Sequence, residues 1–454
     1  MRLQYDAIVI GTGQAGPSLA GRLTAAGKKV AVIERAKFGG TCVNTGCIPT
    51  KTMVASAYAA HLSHRAADFG VVIDGSVSVD MKKVKARKDE ISGASRTGVE
   101  NWLQKMPSCT VYQGQAQFQS PHEVIVGRDT LAAEWIFINV GGRAVIPDIP
   151  GVSEIEYLTN SSMMDVDYLP RHLIILGGSY IGLEFGQMFR RFGSQITIVE
   201  KGPRLISRED EDVSAAILDI MKQEGIDVRL DTKCKRLAKR GDDIVASLDR
   251  EEILGSHILF AAGRRPNTDD LGLEKAGIAN DKHGYIQVDD QLQTNVPGIW
   301  ALGDCNGKGA FTHTSYNDYE IVAANLLDND RRRVSDRIPA YNLYIDPPLG
   351  RAGMTETQAR KSGRKIQVAN RPMTKVARAV EKGESQGFMK IVIDAGTREI
   401  LGASLLGTGC DEVIHSILDV MYAKAPYTVI QRAMHIHPTV SELIPTMLGE
   451  LKDP

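Results

Sequence analysis

Residues 6–21 read DAIVIGTGQAGPSLAG, an apolar run that leads into a glycine-rich turn. The apolar run predicts a β-strand over 6–10, a helix is predicted from Pro17 to about Ala26, and 29–33 predict a second strand. Glu34 follows this strand, 23 positions after the first glycine. This order of elements is typical of a βαβ unit that binds a dinucleotide, with a turn made by Gly11, Gly13 and Gly16.

The same plan recurs at residues 172–182, which read HLIILGGSYIG and lead into a predicted helix to about Phe192 and a strand over 195–199. Glu200 again lies 23 positions after the first glycine. One such motif is weak evidence, but two in this context predict two units in which glycines let the backbone approach a pyrophosphate at a helix N-terminus. Ser179 replaces the middle glycine of the second turn, which also contains Gly177, Gly178, Ile181 and Gly182.

A cysteine pair follows the first unit, in residues 39–51, which read GGTCVNTGCIPTK. Cys42 and Cys47 would be about 140° apart on an ideal helix, so a regular helix could not bridge them. A helix is predicted to begin near Cys47 and to extend to about His64, and a thiol at a helix N-terminus has a lowered pKa. A bare pair could be two core cysteines, half a metal site or an inert disulfide. The flanking glycines, the Pro-x-Lys and the adjacent dinucleotide unit favour a redox-active pair.

Length and composition set broad limits. A chain of 454 residues is too long for one hydrophobic core and predicts about three domains. The net charge of −1 gives no basic surplus for nucleic acid, and no apolar run reaches the roughly 18 residues of a membrane span. No signal-like segment precedes the first strand, so we expect a cytoplasmic protein without nucleic-acid or membrane partners. We expect no metal site, and we expect buried, unreactive thiols at Cys109, Cys234, Cys305 and Cys410.

Two further regions complete the predicted architecture. Residues 111–151 are predicted to be β-rich and to end in a Pro- and Gly-containing linker. From about Ile345 a separate α+β domain is predicted, with a helix over 354–362 capped by Thr355, strands over 388–393 and 401–406, and a helix over 411–422. The predicted fold class is therefore α/β, with two Rossmann-like domains and a C-terminal α+β domain.

The chain resembles the class I pyridine nucleotide–disulfide oxidoreductases, which include dihydrolipoamide dehydrogenase, glutathione reductase and mercuric reductase. The motifs that carry the resemblance occur in family order along nearly the whole sequence: Gly11–Gly16 with Glu34, Cys42–Lys51, Gly177–Gly182 with Glu184 and Glu200, Gly263-Arg264, Gly303-Asp304 and His437–Glu442. The resemblance implies an FAD domain at 1–150, an NAD(P) domain at 151–270, a central segment at 271–338 that completes the FAD domain, and a dimerisation domain at 339–454.

The resemblance also implies the cofactors. FAD would bind to the first unit, with Glu34 on the adenosine ribose and Asp304 on the ribityl chain, and a nicotinamide nucleotide would bind to the second unit. Glu200 favours NADH, because a carboxylate accepts a hydrogen bond from a ribose 2′-hydroxyl and repels a 2′-phosphate, while Lys201 and Arg204 behind it leave NADPH open. Further implied contacts are Ala116 at the adenine end, Gly40, Thr41, Lys51, Gly141, Gly263 and Arg264.

The resemblance assigns catalytic roles to six residues. Cys47 would face the flavin, and Cys42 would meet the substrate. His437, held by Glu442, would be the acid/base that serves Cys42, and it would come from the other subunit, which implies a homodimer. The ion pair beside the reactive edge of the flavin would be Lys51 and Glu184.

The implied reaction passes electrons from NADH through FAD and the Cys42–Cys47 disulfide to a small disulfide substrate, or in reverse from a dithiol or a lipoyl protein. A reductase of a thiophilic metal ion is one alternative, although residues 443–454 lack the extra cysteine pair that mercuric reductases carry near the C-terminus. A flavoprotein redox sensor is an alternative of another class. The bulky segment Phe311–Tyr319 resembles the reactive-chlorine-resistance branch of these flavoproteins.

Overall fold

The computed structural model describes residues 1–453, and within them the strands form five sheets. In chain order the strands are β1 (Arg2–Ile10), β2 (Val30–Glu34), β3 (Cys109–Gln113), β4 (Ala116–Ser120), β5 (Glu123–Val126), β6 (Asp129–Ile138), β7 (Gly142–Ala144), β8 (His172–Leu176), β9 (Gln195–Val199), β10 (Asp227–Arg229), β11 (Arg236–Arg240), β12 (Asp243–Ser247), β13 (Glu252–Gly255), β14 (His257–Phe260), β15 (Arg264–Pro266), β16 (Ile299–Ala301), β17 (Ala340–Leu343), β18 (Leu349–Gly353), β19 (Ile366–Pro372), β20 (Phe388–Asp394) and β21 (Ile400–Leu406).

The helices surround these sheets. In chain order they are α1 (Ala15–Ala25), α2 (Gly40–Asn44), α3 (Cys47–His64), α4 (Met81–Lys105), α5 (Tyr180–Phe192), α6 (Glu211–Gln223), α7 (Thr312–Leu327), α8 (Glu356–Lys361), α9 (Ala377–Glu381), α10 (Cys410–Tyr422), α11 (Thr428–Gln431) and α12 (Ile444–Leu448). The predicted elements are present with small shifts at their ends. The first helix begins at Ala15 rather than at Pro17, because a proline is tolerated within the first helical turn.

The first sheet contains the first βαβ unit. β1 pairs in parallel with β2 on one side and with β6 on the other, and the order is β3-β2-β1-β6-β5-β4. β16 adds to β6 in parallel, so residues near 300 return to this sheet. Ala7 and Val9 pack into one core and Ile8 and Ile10 into another, because successive side chains of a strand point to opposite faces. Burial on both faces explains the uninterrupted apolar run in the sequence.

The second sheet repeats this design in the order β10-β9-β8-β14, with parallel pairing throughout. Leu173 and Ile175 pack against α5 and α6, whereas Ile174 and Leu176 face the three-stranded sheet β11-β12-β13. The two units of the chain are therefore two Rossmann-like units, as predicted. In both, the glycine-rich turn lies at the carboxyl end of the central strand, where ligands bind in open parallel sheets.

The C-terminal region has a sheet of its own, in the order β17-β18-β21-β20-β19 with antiparallel pairing. Its buried face packs against α10 and the helices near the C-terminus. Thr355 caps α8 by accepting a hydrogen bond from the Gln358 N–H at 3.1 Å, and the Gln358 side chain bonds back to the Thr355 N–H. The predicted cap and the predicted α+β class of this region are both confirmed.

The prediction for the four other cysteines is only half right. Cys305 and Cys410 are fully buried, but Cys109 and Cys234 are partly exposed. Cys109 begins β3, which is an edge strand, and Cys234 lies in the irregular segment before β11. Neighbouring elements therefore do not cover either side chain completely. Within residues 1–453, no helix combines the length and the apolar character that crossing a bilayer requires.

Candidate active site

One long cleft, with a volume of about 1910 Å³, joins the two glycine-rich turns to the cysteine pair. Among the residues that the structure describes, Gly16, Gly182, His437 and Glu442 do not line it, although the sequence marked them as site residues. The other predicted site residues all do: Gly11, Gly13, Glu34, Gly40, Thr41, Cys42, Cys47, Lys51, Ala116, Gly141, Gly177, Gly178, Ile181, Glu184, Glu200, Gly263, Arg264 and Asp304.

Close backbone packing explains the glycines of the first turn. Gly11 has a φ of +100°, and a Cβ there would lie 2.4 Å from the Asn139 carbonyl oxygen. A Cβ on Gly16 would lie 2.3 Å from the Gly11 carbonyl oxygen, so this residue lets the start of α1 pack on the turn instead of touching a ligand. Gly13 and Gly40 face each other across the cleft, and a Cβ on Gly40 would lie 2.8 Å from the Gly13 Cα. Side chains at these two positions would fill the cradle.

The acidic residue of the first unit lies over this turn. Glu34 accepts hydrogen bonds from the Thr12 N–H at 3.0 Å, from the Thr12 hydroxyl at 2.6 Å and from the Ala36 N–H at 2.8 Å. Its side chain is buried, and these hydrogen bonds fix its position.

The cleft around the first unit fits an adenine dinucleotide such as FAD. Asn139 presents a buried Nδ2 group that has no hydrogen-bond partner within residues 1–453, beside the glycine cradle. Ala116 and Gly141 leave open walls further along the cleft, and Asp304 lies at the far side, 3.6 Å from the Arg264 guanidinium. Burial raises the pKa of the Asp304 carboxyl, and Arg264 opposes that rise.

Close backbone packing also explains the glycines of the second turn. A Cβ on Gly177, which has a φ of +123°, would lie 2.4 Å from the Ala261 carbonyl oxygen, and a Cβ on Gly182 would lie 1.9 Å from the Gly177 carbonyl oxygen. Ser179 occupies the position before α5 with extended backbone angles. The cleft therefore tolerates a Cβ at the middle position of this turn, where the first turn has glycine.

The acidic residue of the second unit has two backbone partners, as Glu34 has, but no hydroxyl partner within residues 1–453. Glu200 accepts hydrogen bonds from the Gly178 N–H at 2.7 Å and from the Gly202 N–H at 2.8 Å, and it is only partly buried. Lys201, behind it, also lines the cleft.

The two thiols lie at the junction of two helices. Cys42 is in the short helix α2, Cys47 is the first residue of α3, and the irregular residues between the helices include Gly46. The predicted break in the helix is therefore confirmed. The two thiols are unbridged and close enough for each to influence the pKa of the other. The Cys42 thiol, Thr312 and Lys51 lower the pKa of Cys47 to about 6 against the effect of burial, whereas the contact with Cys47 and burial raise the pKa of Cys42.

An ion pair lies next to the thiols. Lys51 is one helical turn after Cys47 on α3, and its ammonium group lies 2.6 Å from Glu184 on α5. The Thr312 hydroxyl, at the start of α7, lies 3.0 Å from the Cys47 sulfur. Three elements that are far apart in sequence thus meet near Cys47, where Lys51 and Thr312 stabilise its thiolate and Glu184 opposes them.

His437 is in a different environment. Its Nδ1 atom lies 2.9 Å from the Glu442 carboxylate, as the sequence predicted, and its side chain is 75% exposed. It does not line the cleft of its own chain within residues 1–453.

The sequence matches the family model described as pyridine nucleotide-disulphide oxidoreductase over residues 5–318 and the model of that family's dimerisation domain over residues 339–448. The chain belongs to the pyridine nucleotide-disulphide oxidoreductase family. It is therefore an oxidoreductase whose cofactors are FAD and a nicotinamide nucleotide, and the dimerisation domain supports a homodimer.

Relatives within this family cover the full chain. A probable pyridine nucleotide-disulfide oxidoreductase, RclA of Escherichia coli, is 37% identical over 99% of this chain and 100% of its own. A mercuric reductase of Streptomyces lividans is 31% identical over 97% and 94%, and a dihydrolipoyl dehydrogenase of Thermus scotoductus is 32% identical over 96% and 95%. A solved Cu(II) complex of the HOCl-induced flavoprotein disulfide reductase RclA from Escherichia coli matches with a TM-score of 0.92 at 36% identity, over 99% of this chain and 100% of that one.

Several residues of this oxidoreductase site were not predicted by any pattern in the sequence. Thr312 lies in the bulky segment after the Gly303-Asp304 motif, which drew attention only as a whole. Asn139 follows an apolar strand, where a buried amide at the carboxyl end could have indicated a ligand contact. Tyr180, Phe311 and Tyr341 form an aromatic cluster along the cleft, in which the Phe311 and Tyr341 rings stack with centroids 5.4 Å apart.

Proposed function

We propose that this oxidoreductase is an NADH-dependent reductase that passes two electrons to the Cys42–Cys47 pair and on to a small disulfide substrate. The observation that carries the proposal is the cleft that joins both glycine-rich turns to the two thiols and to the Lys51–Glu184 pair. FAD, when bound along the first unit, supplies two-electron transfer between the nicotinamide and the cysteine pair. With a dithiol or a lipoyl protein the same residues serve the reverse reaction, because the partners' potentials set the direction.

The residues of the cleft divide between the two nucleotides in this proposal. Glu34 would accept a hydrogen bond from the adenosine ribose of FAD, and Asp304 would bind the ribityl chain. The other FAD contacts would be Gly11, Gly13, Gly40, Thr41, Lys51, Ala116 and Gly141. The nicotinamide nucleotide would lie against Gly177, Gly178, Ile181, Glu200, Gly263 and Arg264.

Two thiol–disulfide exchanges complete the reaction. The Cys42 thiolate attacks one sulfur of the substrate disulfide, forms a mixed disulfide and releases the first substrate thiolate. The Cys47 thiolate then attacks the Cys42 sulfur, which restores the Cys42–Cys47 disulfide and releases the second thiolate. Both substrate thiolates take up protons, so the sum is NADH, one proton and a disulfide converted to NAD⁺ and two thiols.

The proton of Cys42 requires a base. The raised pKa of Cys42 means that its thiol keeps its proton at neutral pH unless a neighbouring group accepts it. His437, oriented by Glu442 at 2.9 Å, has the chemistry of such a base. We propose that it acts on Cys42 of the other subunit, so that the homodimer is the active unit.

NADH is the proposed electron donor. The Glu200 carboxylate is partly exposed in the cleft and accepts two backbone hydrogen bonds, and a carboxylate at this position favours a ribose 2′-hydroxyl over a 2′-phosphate. We also propose a cytoplasmic location, where a dithiol is kept reduced. The proposed boundaries are 1–150 and 271–338 for the FAD domain, 151–270 for the NAD domain and 339–454 for the dimerisation domain.

A thiophilic metal ion is the second candidate substrate. The similar RclA structure is described as a Cu(II) complex, and two neighbouring thiol sulfurs are ligands that soft metal ions prefer. In this alternative the reduced pair would bind the ion and the metal would be the electron acceptor.

The test follows NADH oxidation anaerobically with lipoamide, glutathione disulfide, Cu(II) and Hg(II), for the wild type and Cys42→Ser. Cys109→Ser is the matched control, because Cys109 is also partly exposed but lies outside the cleft. We expect turnover of a disulfide that Cys42→Ser loses and Cys109→Ser keeps. Turnover with metal ions alone would favour the second candidate, and one-time oxidation without turnover would favour a redox sensor. Full activity of Cys42→Ser with every acceptor would refute the cysteine mechanism.

A further inference from the structure

One aromatic residue contacts both members of the ion pair beside the thiols. The Lys51 ammonium lies 4.6 Å from the centroid of the Tyr344 ring, within the range of a cation–π interaction. The Tyr344 backbone N–H donates to Glu184 Oε1 at 3.1 Å, while Glu184 Oε2 accepts from Lys51 at 2.6 Å. One residue of the dimerisation region therefore contacts both Lys51 and Glu184.

The backbone of this residue is fixed by α5. Residues Tyr344–Asp346 connect β17 to β18 and run along the α5 face that carries Glu184, Gln187 and Arg191, which are three and four positions apart. Gln187 accepts from the Asp346 N–H at 2.7 Å and donates to the Asp346 carbonyl oxygen at 2.8 Å. Arg191 pairs with the Asp346 carboxylate. Successive turns of α5 thus each contact this segment through one side chain.

The ring itself is also fixed. The Tyr344 hydroxyl accepts a hydrogen bond from the Asn342 amide at 3.3 Å, and the same amide donates to the Asp411 carbonyl oxygen at 3.1 Å. The ring is therefore held at its far edge, with its face toward Lys51.

We propose that Tyr344 is a positioning residue that keeps the Lys51 ammonium beside Cys47. A lysine side chain has a flexible four-carbon stem, and without the ring its ammonium group would populate rotamers that point away from the thiol. The groups that face Cys47 are the Cys42 thiol, the Thr312 hydroxyl, Lys51 and the opposing charge of Glu184. Of these groups, Lys51 carries the positive charge that favours the Cys47 thiolate.

This inference rests on the proposed role of Lys51 beside Cys47, and its test measures ionisation of the thiol instead of turnover. The FAD-loaded protein carries Cys42→Ser, so that Cys47 is the reactive thiol of the site. Its thiolate is titrated by ultraviolet absorbance and by iodoacetamide labelling of the Cys47 peptide. Cys109 and Cys234 interfere little, because burial raises the pKa of each to about 11. The variants are Tyr344→Phe, which keeps the ring, and Tyr344→Leu, which removes it.

We expect Tyr344→Leu to raise the midpoint of Cys47 ionisation by about one pKa unit, a roughly tenfold loss of thiolate at a pH below both midpoints. Tyr344→Phe keeps the ring and loses only the hydroxyl bond to Asn342, so its midpoint should rise much less than that of Tyr344→Leu. In a Lys51→Met background, Tyr344→Leu should add no further shift, because the ring acts through the ammonium group. FAD content and the thermal midpoint confirm that each variant is folded.

The inference would be overturned if Tyr344→Leu left the midpoint of Cys47 ionisation unchanged, or if Tyr344→Phe shifted it as much as Tyr344→Leu. It would also be overturned if Tyr344→Leu caused the same shift in the Lys51→Met background. A failure of the proposed reaction would have a different signature, since Cys42→Ser would then keep turnover while the ionisation midpoints could still follow Tyr344.

Discussion

The two βαβ units have the same backbone plan but enclose their clefts differently. Glu34 is buried and accepts two hydrogen bonds from Thr12 of its turn and one from Ala36, whereas Glu200 is partly exposed and accepts two in all within residues 1–453. Gly13 packs against Gly40, whose segment covers the first turn, whereas the middle position of the second turn holds Ser179.

This difference matches the two nucleotides that the family uses. A cofactor that stays bound through many turnovers is best held by a closed cradle in which every polar group has a partner. A nucleotide that must leave after each hydride transfer needs an open site in which fewer groups are fixed in advance. The first unit has the former character and the second the latter, although the sequence motifs are nearly identical.

The strongest test of this contrast uses the last glycine of each turn. Gly16→Ala and Gly182→Ala both place a Cβ against a carbonyl oxygen of the preceding turn, at 2.3 and 1.9 Å. Overpacking of this kind costs about 1–3 kcal/mol, or roughly 5- to 150-fold in binding. We expect Gly16→Ala to lose FAD during purification, measured by the ratio of flavin to protein absorbance. Gly182→Ala should keep FAD and weaken NADH binding, measured by anaerobic flavin reduction. Loss of FAD from both variants would remove the distinction.

The units also differ in how they attach to the rest of the chain. Asp210, before α6, accepts hydrogen bonds from the Glu356 and Thr357 N–H groups and from Lys390, which lowers its pKa to about 2 against the effect of burial. A depressed folded-state pKa gives stability that is present above about pH 4 and is lost as the pH falls toward 2. Asp210→Asn should therefore lower the free energy of unfolding at neutral pH by about 2 kcal/mol and flatten the acid limb of a stability–pH curve.

The matched control for this attachment is in the first unit. Asp270 pairs with Arg35 at 2.8 Å at the surface, and both side chains are more than 40% exposed. Asp270→Asn should change the free energy of unfolding by less than about 1 kcal/mol. If the two substitutions lowered the free energy of unfolding equally in chemical denaturation, Asp210 would contribute no more than a surface ion pair does.

A smaller effect is expected on nucleotide choice. Glu200→Gln removes the charge that repels a 2′-phosphate but keeps the size of the side chain, so the ratio of kcat/KM for NADH to that for NADPH should fall about tenfold. Glu34→Gln is the control, because it should alter FAD retention and leave the ratio unchanged. An unchanged ratio in Glu200→Gln would assign the preference to Lys201 and Arg204 instead.

The sequence predicted what depends on local pattern. Strands, helices, both glycine-rich turns and the Glu442 partner of His437 follow from short stretches whose physics is local, such as the backbone approach that Gly11 permits. Contacts made by tertiary packing had no such signal. Thr312 and Tyr344 reach Cys47 and Lys51 from segments far away in the sequence, and the exposure of Cys109 depends on its strand being an edge of the sheet.

The smallest effect concerns the middle glycine position of the motif, where the second turn has Ser179. In the part of the chain that the structure describes, the Ser179 hydroxyl makes no hydrogen bond to the backbone of α5, so it is free to donate to a bound pyrophosphate. Ser179→Ala keeps the Cβ and loses this donor, and it should raise the KM for NADH by about three- to tenfold, the net value of one typical hydrogen bond. Ser179→Gly also loses the donor but lets the nucleotide approach more closely, so its KM should rise less. If Ser179→Gly binds NADH more weakly than Ser179→Ala, the Cβ itself supports the turn, and the second unit differs from the first in rigidity rather than in the space it leaves for the nucleotide.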